Sequence, residues 1–302
     1  MRIAAQSDFF IRHYGAVEGL KRIKELGYTQ ITYTFQERYN EPFTTEWTDK
    51  EIEEKFSAIK QAIDESGLKL LFATIATDIY SDLAPQTFDA RKKMCVQIVK
   101  AAAFMGCKVL GVRPASLYHS TTDVLQTSKS ISLEVFDLMQ DTAKQYGVKL
   151  AFINNTRVQC FTTGSYSYGC KASELLELAE IYDGGIIVDP VNAYYAHERV
   201  CDLLKNVEDK LLGFQLTDTE ADINFRNYTI PMMGVIDYFE LGRVLKQTNP
   251  QSTLVVMHTP IMKRYLKFIS ADSFVVAFTQ LLYEIAQTLL SDKETIPRRN
   301  KL

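Results

Sequence analysis

The sequence predicts a single (β/α)8 barrel over residues 1–302, with its ligand site at the carboxyl-terminal ends of the strands. Two observations lead there. A unit of amphipathic helix, glycine and short apolar run recurs five times in the first two thirds of the chain, with stops at Gly27, Gly67, Gly106, Gly147 and Gly184-Gly185. The stops lie about 40 residues apart, enough for a strand, a loop, a helix and a return, which is the pattern of parallel βα units.

The elements follow in order. Arg2–Ala5 is a first strand, and residues 15–26 form a helix because Val17, Leu20, Ile23 and Leu26 repeat at the helical period. Each glycine then ends a helix, since only glycine takes the left-handed conformation without a Cβ penalty. The runs that follow supply five more strands: Tyr28–Tyr33, Leu68–Phe72, Cys107–Val112, Val148–Ile153 and Ile186–Val188. Leu211–Leu216 and Thr253–Met257 supply the seventh and eighth, and residues 237–246 and 273–290 supply further helices. Near-continuous apolar strands suit a sheet covered on both faces. Eight such units in about 300 residues close a barrel. The irregular stretches near Asn40–Glu46, Thr156–Gly169 and Thr219–Met233 each follow a strand and so belong to the functional face.

Composition narrows the function classes. With 46% hydrophobic and 24% charged residues the chain reads as a soluble globular protein. A net charge of −3 gives no extended positive field, which disfavours nucleic acid as a partner. No run approaches the length of a membrane span, and Asp8 interrupts the start before a signal peptide can develop, so the expectation is a cytoplasmic protein without a membrane partner. The cysteines number five and form no C-x-x-C pair; Cys95 and Cys107 read as small buried hydrophobes.

The strand ends carry the candidate chemistry: Gln6 and Ser7, Thr34 and Gln36, Thr74 and Thr77, Arg113, Asn154 and Asn155, Asp189 and Asn192, Gln215 and Asp218, and His258. Asp189 can ligate a cation, bind a hydroxyl, or pair with an arginine such as Arg113. Arg113, and Arg226 in the seventh loop, can clamp an anionic group or serve a structural ion pair. His258, with an ordinary pKa of about 6.5, suits a base or a ligand, or is simply a hydrogen-bonded residue at a strand end. Asn154, Asn155, Asn192, Gln215, Thr217 and Asp218 suit the hydroxyls of a polyol. Tyr166, Tyr168, Tyr194 and Tyr195 fit either a sugar's apolar face or loop packing, and Trp47 fits a local contact at a helix start. His13, His119 and His197 have no motif spacing and read as surface residues.

Several stretches carry a family resemblance: Gly147-Val148-Lys149-Leu150-Ala151-Phe152-Ile153-Asn154, Ile187-Val188-Asp189-Pro190-Val191-Asn192-Ala193, Phe214-Gln215-Leu216-Thr217-Asp218-Thr219-Glu220, Pro231 to Asp237, and Val255-Val256-Met257-His258. In their order and spacing they resemble the xylose isomerase-like sugar-phosphate isomerase/epimerase barrels, which include inosose isomerases and dehydratases and, more distantly, endonuclease IV. The resemblance implies one divalent metal held by Glu, Asp, His and Glu from strands five to eight, the glutamates also moving a proton next to a sugar carbonyl. The matching positions here are Ile153, Asp189, Gln215 and His258. Only the aspartate is kept, leaving Asp189, His258 and Gln215 as metal ligands and His258 with Asp189 as the catalytic pair.

Two readings stay open. One is an isomerase or epimerase acting on a sugar, cyclitol or related hydroxy-carbonyl compound, with His258 as proton shuttle. The other is a barrel that binds a polyol without catalysis. Both take a small sugar or polyol as partner, and a second copy of the chain is a further candidate partner. Nucleic-acid repair would require a multi-zinc cluster that four scattered histidines cannot supply.

Overall fold

The computed structural model of the chain describes residues 1–35, 47–75, 85–117, 123–156, 166–221, 228–248, 251–257 and 271–291. Eight parallel strands close into the expected barrel: β1 (Arg2–Gln6), β2 (Gln30–Phe35), β3 (Lys69–Ile75), β4 (Val109–Val112), β5 (Lys149–Ile153), β6 (Gly185–Val188), β7 (Leu211–Leu216) and, closing the ring, β10 (Thr253–Val256). Closure runs from Arg2 opposite Thr253 to Ala5 opposite Val256. Between β7 and β10 lies an antiparallel pair the sequence reading missed, β8 (Asp218–Thr219) with β9 (Tyr228–Thr229).

The surrounding helices are α1 (Asp8–Tyr14), α2 (Ala16–Glu25), α3 (Asp49–Ser66), α4 (Pro85–Phe104), α5 (Val124–Tyr146), α6 (Ala172–Ile181), α7 (Pro190–Tyr195), α8 (Val200–Asn206), α9 (Tyr238–Gln247) and α10 (Ala271–Leu290). None is long and apolar enough to cross a membrane, among the described residues. Helix α3 starts with a reciprocal cap between Thr48 and Glu51, and Trp47 just before it packs edge-on against Phe56 under Lys55. Helix α2 is rotated from the expected stripe. Gly19 and Leu20 are buried while Val17 is 68% exposed. The cause is α1: a side chain at Gly19 would come within 2.6 Å of the Phe10 carbonyl oxygen, so α2 rests on α1 through its glycine.

Four of the five expected glycine stops hold positive φ, between 67° and 90°. The fifth differs. Asp183 takes the left-handed turn at φ 45°, and the two glycines after it serve packing instead. A Cβ at Gly184 would lie 2.7 Å from the Phe152 ring, and one at Gly185 only 2.2 Å from Leu212 Cδ1.

Alternation along the strands divides the apolar residues into two cores. The larger lies between strands and helices and includes Phe152, Ile186, Val188, Phe214, Leu216, Leu254 and Val256. The smaller fills the barrel with Phe72, Ala151, Ile153, Ile187 and Val255. The same parity fixes which side chains face the mouth: Gln215, between Phe214 and Leu216, belongs to the inside.

Candidate functional site

The carboxyl-terminal ends of the strands form a mouth above an apolar floor. A Cβ built on Gly111 would meet Thr74 Cγ2 at 2.9 Å, Ile187 Cδ1 at 3.0 Å and Ile153 Cδ1 at 3.3 Å, so these three side chains converge over that glycine. Ile153 is therefore part of the floor, buried in the inner cluster.

Asp189 follows Ile187 by two residues and keeps its parity. It is also the N-cap of α7: Oδ1 accepts the Val191 N–H at 2.9 Å and the Thr217 hydroxyl at 3.1 Å. Oδ2 faces the Tyr228 hydroxyl at 3.5 Å. Thr217 stood among the expected polyol-binding residues, whereas Tyr228 did not. Thr217 was within reach of the strand alternation, but Tyr228 arrives through the β8–β9 pairing, which no local pattern announces. Among the described residues Asp189 makes no ion pair with Arg113, which lies half-buried at the tip of β4 and has other contacts.

The two asparagines that follow β5 turn out to hold backbone. Asn154 accepts the Asp189 N–H at 2.6 Å and donates to the Asp189 carbonyl at 3.0 Å, while the Asn192 amide donates to the Asn154 carbonyl at 2.9 Å. Asn155 donates to the carbonyls of Pro114, Ala115 and Tyr168, each at 3.2 Å, and accepts from the Ser116 hydroxyl at 2.7 Å. It ties the loops after β4 and β5 together.

Asp218 does similar work one strand on. Its carboxylate accepts backbone N–H groups of Thr219 at 2.8 Å, Gly234 at 2.9 Å and Ile236 at 3.1 Å, fastening the return before α9. Burial pushes its pKa up, against the pull of these amides. A Cβ at Gly234 would fall 2.2 Å from Asp218 Oδ1, so the clasp requires glycine there. Tyr195 links α7 to the hairpin through Thr219 at 3.0 Å. Tyr238 donates its hydroxyl to the Thr217 carbonyl, and burial, followed by Asp218 and Asp189, keeps that phenol protonated.

Gln215 is 5% exposed and its amide has no hydrogen-bond partner among the described residues. On the other side of the mouth, Gln6 Nε2 donates to Thr34 Oγ1 at 3.0 Å, and Thr34 Oγ1 lies 3.1 Å from Thr74 Oγ1. The structure thus brings Asp189, Asn154 and Asn192 together, with Gln215 on the neighbouring strand. Asp218 sits behind them on the hairpin. His258 and Arg226, with Gln36, Thr77, His119 and Cys160, lie outside the described residues. His13 and His197 are exposed.

The divalent metal implied by the resemblance can be tested on the donors. Ile153 offers hydrocarbon, Gln215 a neutral amide, and Asp189 one carboxylate already accepting two hydrogen bonds on Oδ1. That set does not fit a cation held by two carboxylates. Among the described residues no group of three or more His, Cys, Asp or Glu side chains could hold a metal ion.

A family model for the xylose isomerase-like TIM barrel matches residues 20–267. Among solved structures, the chain resembles 3-keto-D-glucoside 4-epimerase from E. coli, with 16% identity and a TM-score of 0.67 over 95% of this chain and 99% of that one. It also resembles D-psicose 3-epimerase from Clostridium cellulolyticum H10, solved with D-tagatose, with 14% identity and a TM-score of 0.65 over 96% and 100%. A protein from Sinorhizobium meliloti 1021 matches with 14% identity and a TM-score of 0.69 over 95% and 98%. At these identities the likeness speaks to the fold. No curated protein matches the sequence.

Proposed function

We propose, from the premise that this chain belongs to the xylose isomerase-like TIM-barrel family, that its mouth binds a sugar, cyclitol or related polyol without the metal-assisted proton transfer the resemblance implied. One observation carries this reading: Ile153 occupies the inward position at the tip of β5 and is built into the apolar floor with Ile187. A proton-transfer site needs a base and a group that stabilises the enediolate. Of the two carboxylates on the wall of β5 to β7, Asp218 is tied to backbone N–H groups and Asp189 has its Oδ1 committed to capping α7 and to Thr217.

The chemistry left to that wall is recognition. Asp189 Oδ2 accepts a ligand hydroxyl, and Gln215 both donates and accepts. The apolar floor and the partly exposed Tyr195 and Tyr228 suit the C–H face of a ring. Asn154, Asn192 and Asn155 act one layer back, fixing the backbone that presents Asp189. Arg113 and Arg226 are assigned to an anionic substituent should the ligand carry one.

A second reading has its own support. A buried carboxylate beside a tyrosine hydroxyl, Asp189 with Tyr228, is an acid–base pair in kind, and His258 follows directly on the strand-end residue Met257, which packs against the inner cluster. One experiment separates the two. The protein is incubated in D2O with D-tagatose or myo-inosose, with EDTA and separately with Mn2+, and carbon-bound hydrogen exchange is followed by NMR. The binding reading expects ligand-induced thermal stabilisation in EDTA and no exchange. Exchange that depends on Asp189 and His258 overturns it in favour of an isomerase or epimerase.

A further inference from the structure

The β1–β3 side of the mouth holds three polar side chains that the proposed function leaves without a role. Gln6, Thr34 and Thr74 are 1%, 6% and 7% exposed and form a ladder from strand to strand. Its hydrogens can be counted. The two threonine hydroxyls bring two, and the single Thr34–Thr74 link uses one, while the Gln6 amide donates its own to Thr34. Neither threonine hydroxyl makes another contact among the described residues. Whichever threonine donates within the link, one hydroxyl hydrogen remains, in an enclosed place where an unmade hydrogen bond costs about 1–3 kcal/mol.

Two further features give that hydrogen a direction. The Thr74 methyl meets Ile153 and Ile187 over Gly111, so the ladder ends at the rim of the apolar floor. On the opposite wall, a Cβ at Gly213 of β7 would lie 3.1 Å from the Phe72 ring of β3, and Thr74 and Gln215 each stand two residues further along the same strands. Gln215 is the other buried polar group there without a partner among the described residues.

We propose that Thr34, Thr74 and Gln215 form an uncharged oxygen subsite: a carbonyl or hydroxyl oxygen of a neutral polyhydroxy ligand accepts the ladder's remaining hydrogen, and an adjacent hydroxyl pairs with the Gln215 amide. The inference rests on the reading that the mouth binds a polyol, and adds that neutral donors hold the oxygen with no cation beneath it.

The test is calorimetric titration of the full chain in EDTA with D-tagatose and with myo-inositol. The proteins are the parent, Asp189→Asn, the pair Thr34→Val with Thr74→Val, and the pair Thr34→Ser with Thr74→Ser. The expected result is that the parent binds at least one probe, the valine pair, titrated well below its melting temperature, weakens binding about fivefold to tenfold, and the serine pair restores it. If the valine pair binds like the parent while Asp189→Asn does not, the subsite is wrong and the polyol reading stands. If the serine pair is as weak as the valine pair, packing rather than a hydroxyl is responsible, and the subsite is again wrong. If the parent binds neither probe, the polyol reading fails and the subsite with it. Should the valine pair not fold, Gln215→Leu carries the same expectation, and parental affinity in that variant overturns it.

Discussion

The two walls of the barrel mouth obey the same alternation of side chains and use their polar groups differently. On β5 to β7, Asn154, Asn155 and Asp218 bond largely to backbone N–H and C=O groups, and Asp189 divides its oxygens between a helix cap and side-chain hydroxyls. On β1 to β3, Gln6, Thr34 and Thr74 bond to one another. Backbone has one donor and one acceptor per residue and must be satisfied wherever it is buried, so a side chain committed to it is scaffold first. A chain of side chains ends on a group with capacity left over, and that is where a ligand can be met.

The comparison breaks most sharply if the scaffold wall is given back a charge. Ile153→Glu would put a carboxyl into the apolar floor beside Ile187, raising its pKa by several units and costing about 4 kcal/mol at neutral pH. The sign follows from the raised folded pKa: the folded protein binds the proton more tightly, so stability is greatest below the unfolded value and falls as pH rises through the folded one. Urea denaturation at pH 4.5 and 7.5 should therefore show a larger deficit at pH 7.5. If Mn2+ removes that deficit, the wall can still hold a cation and its conversion to scaffold is incomplete.

Asp218→Ala comes next, at about 3 kcal/mol, because three backbone N–H groups would lose a buried charged acceptor together. Asp218 also contributes a pH slope of known sign. Burial raises its folded pKa, so in the parent this group favours the folded state most at low pH and less as pH rises through that pKa. Asp218→Asn should lose that slope while remaining less stable than the parent at neutral pH. An unchanged slope would mean that another group carries the titration.

These two residues also mark how far the sequence could be read. Periodicity and glycine stops revealed the eight strands and their order, because a βα repeat writes its hydrophobic pattern locally. They missed α1, α7 and α8, whose six or seven residues are too short for a helical period to register. Asp189 was visible as a strand-end carboxylate. That Asp218 holds Gly234 and Ile236 was not, since those contacts span 16 and 18 residues across a hairpin of two-residue strands. The asparagines misled for a related reason: an amide suits a sugar hydroxyl and a peptide group equally well, and only the fold brought Pro114, Ala115 and Tyr168 around Asn155.

Asn155→Ala tests that reassignment. It should cost about 2 kcal/mol through the freed carbonyls and the lost tie between two loops, with polyol affinity changing only as far as the loops move. A variant of parental stability that has lost affinity would return Asn155 to the ligand.

The smallest effects discriminate within the scaffold wall itself. Thr217 donates to Asp189 Oδ1 at 3.1 Å from a fully buried position, whereas Tyr228 reaches Oδ2 at 3.5 Å from a half-buried one. Thr217→Val should therefore cost about 1 kcal/mol and Tyr228→Phe no more than about 0.5 kcal/mol, since a hydrogen bond at that distance is weak and water can replace it. Ligand binding should invert the order. Tyr228 is the group that a ligand hydroxyl would displace from or share with Oδ2, so Tyr228→Phe should change polyol affinity more than it changes stability. Thr217→Val should do the reverse. If both variants change stability and affinity in proportion, Asp189 has no oxygen set apart for a ligand, and the wall from β5 to β7 is scaffold throughout.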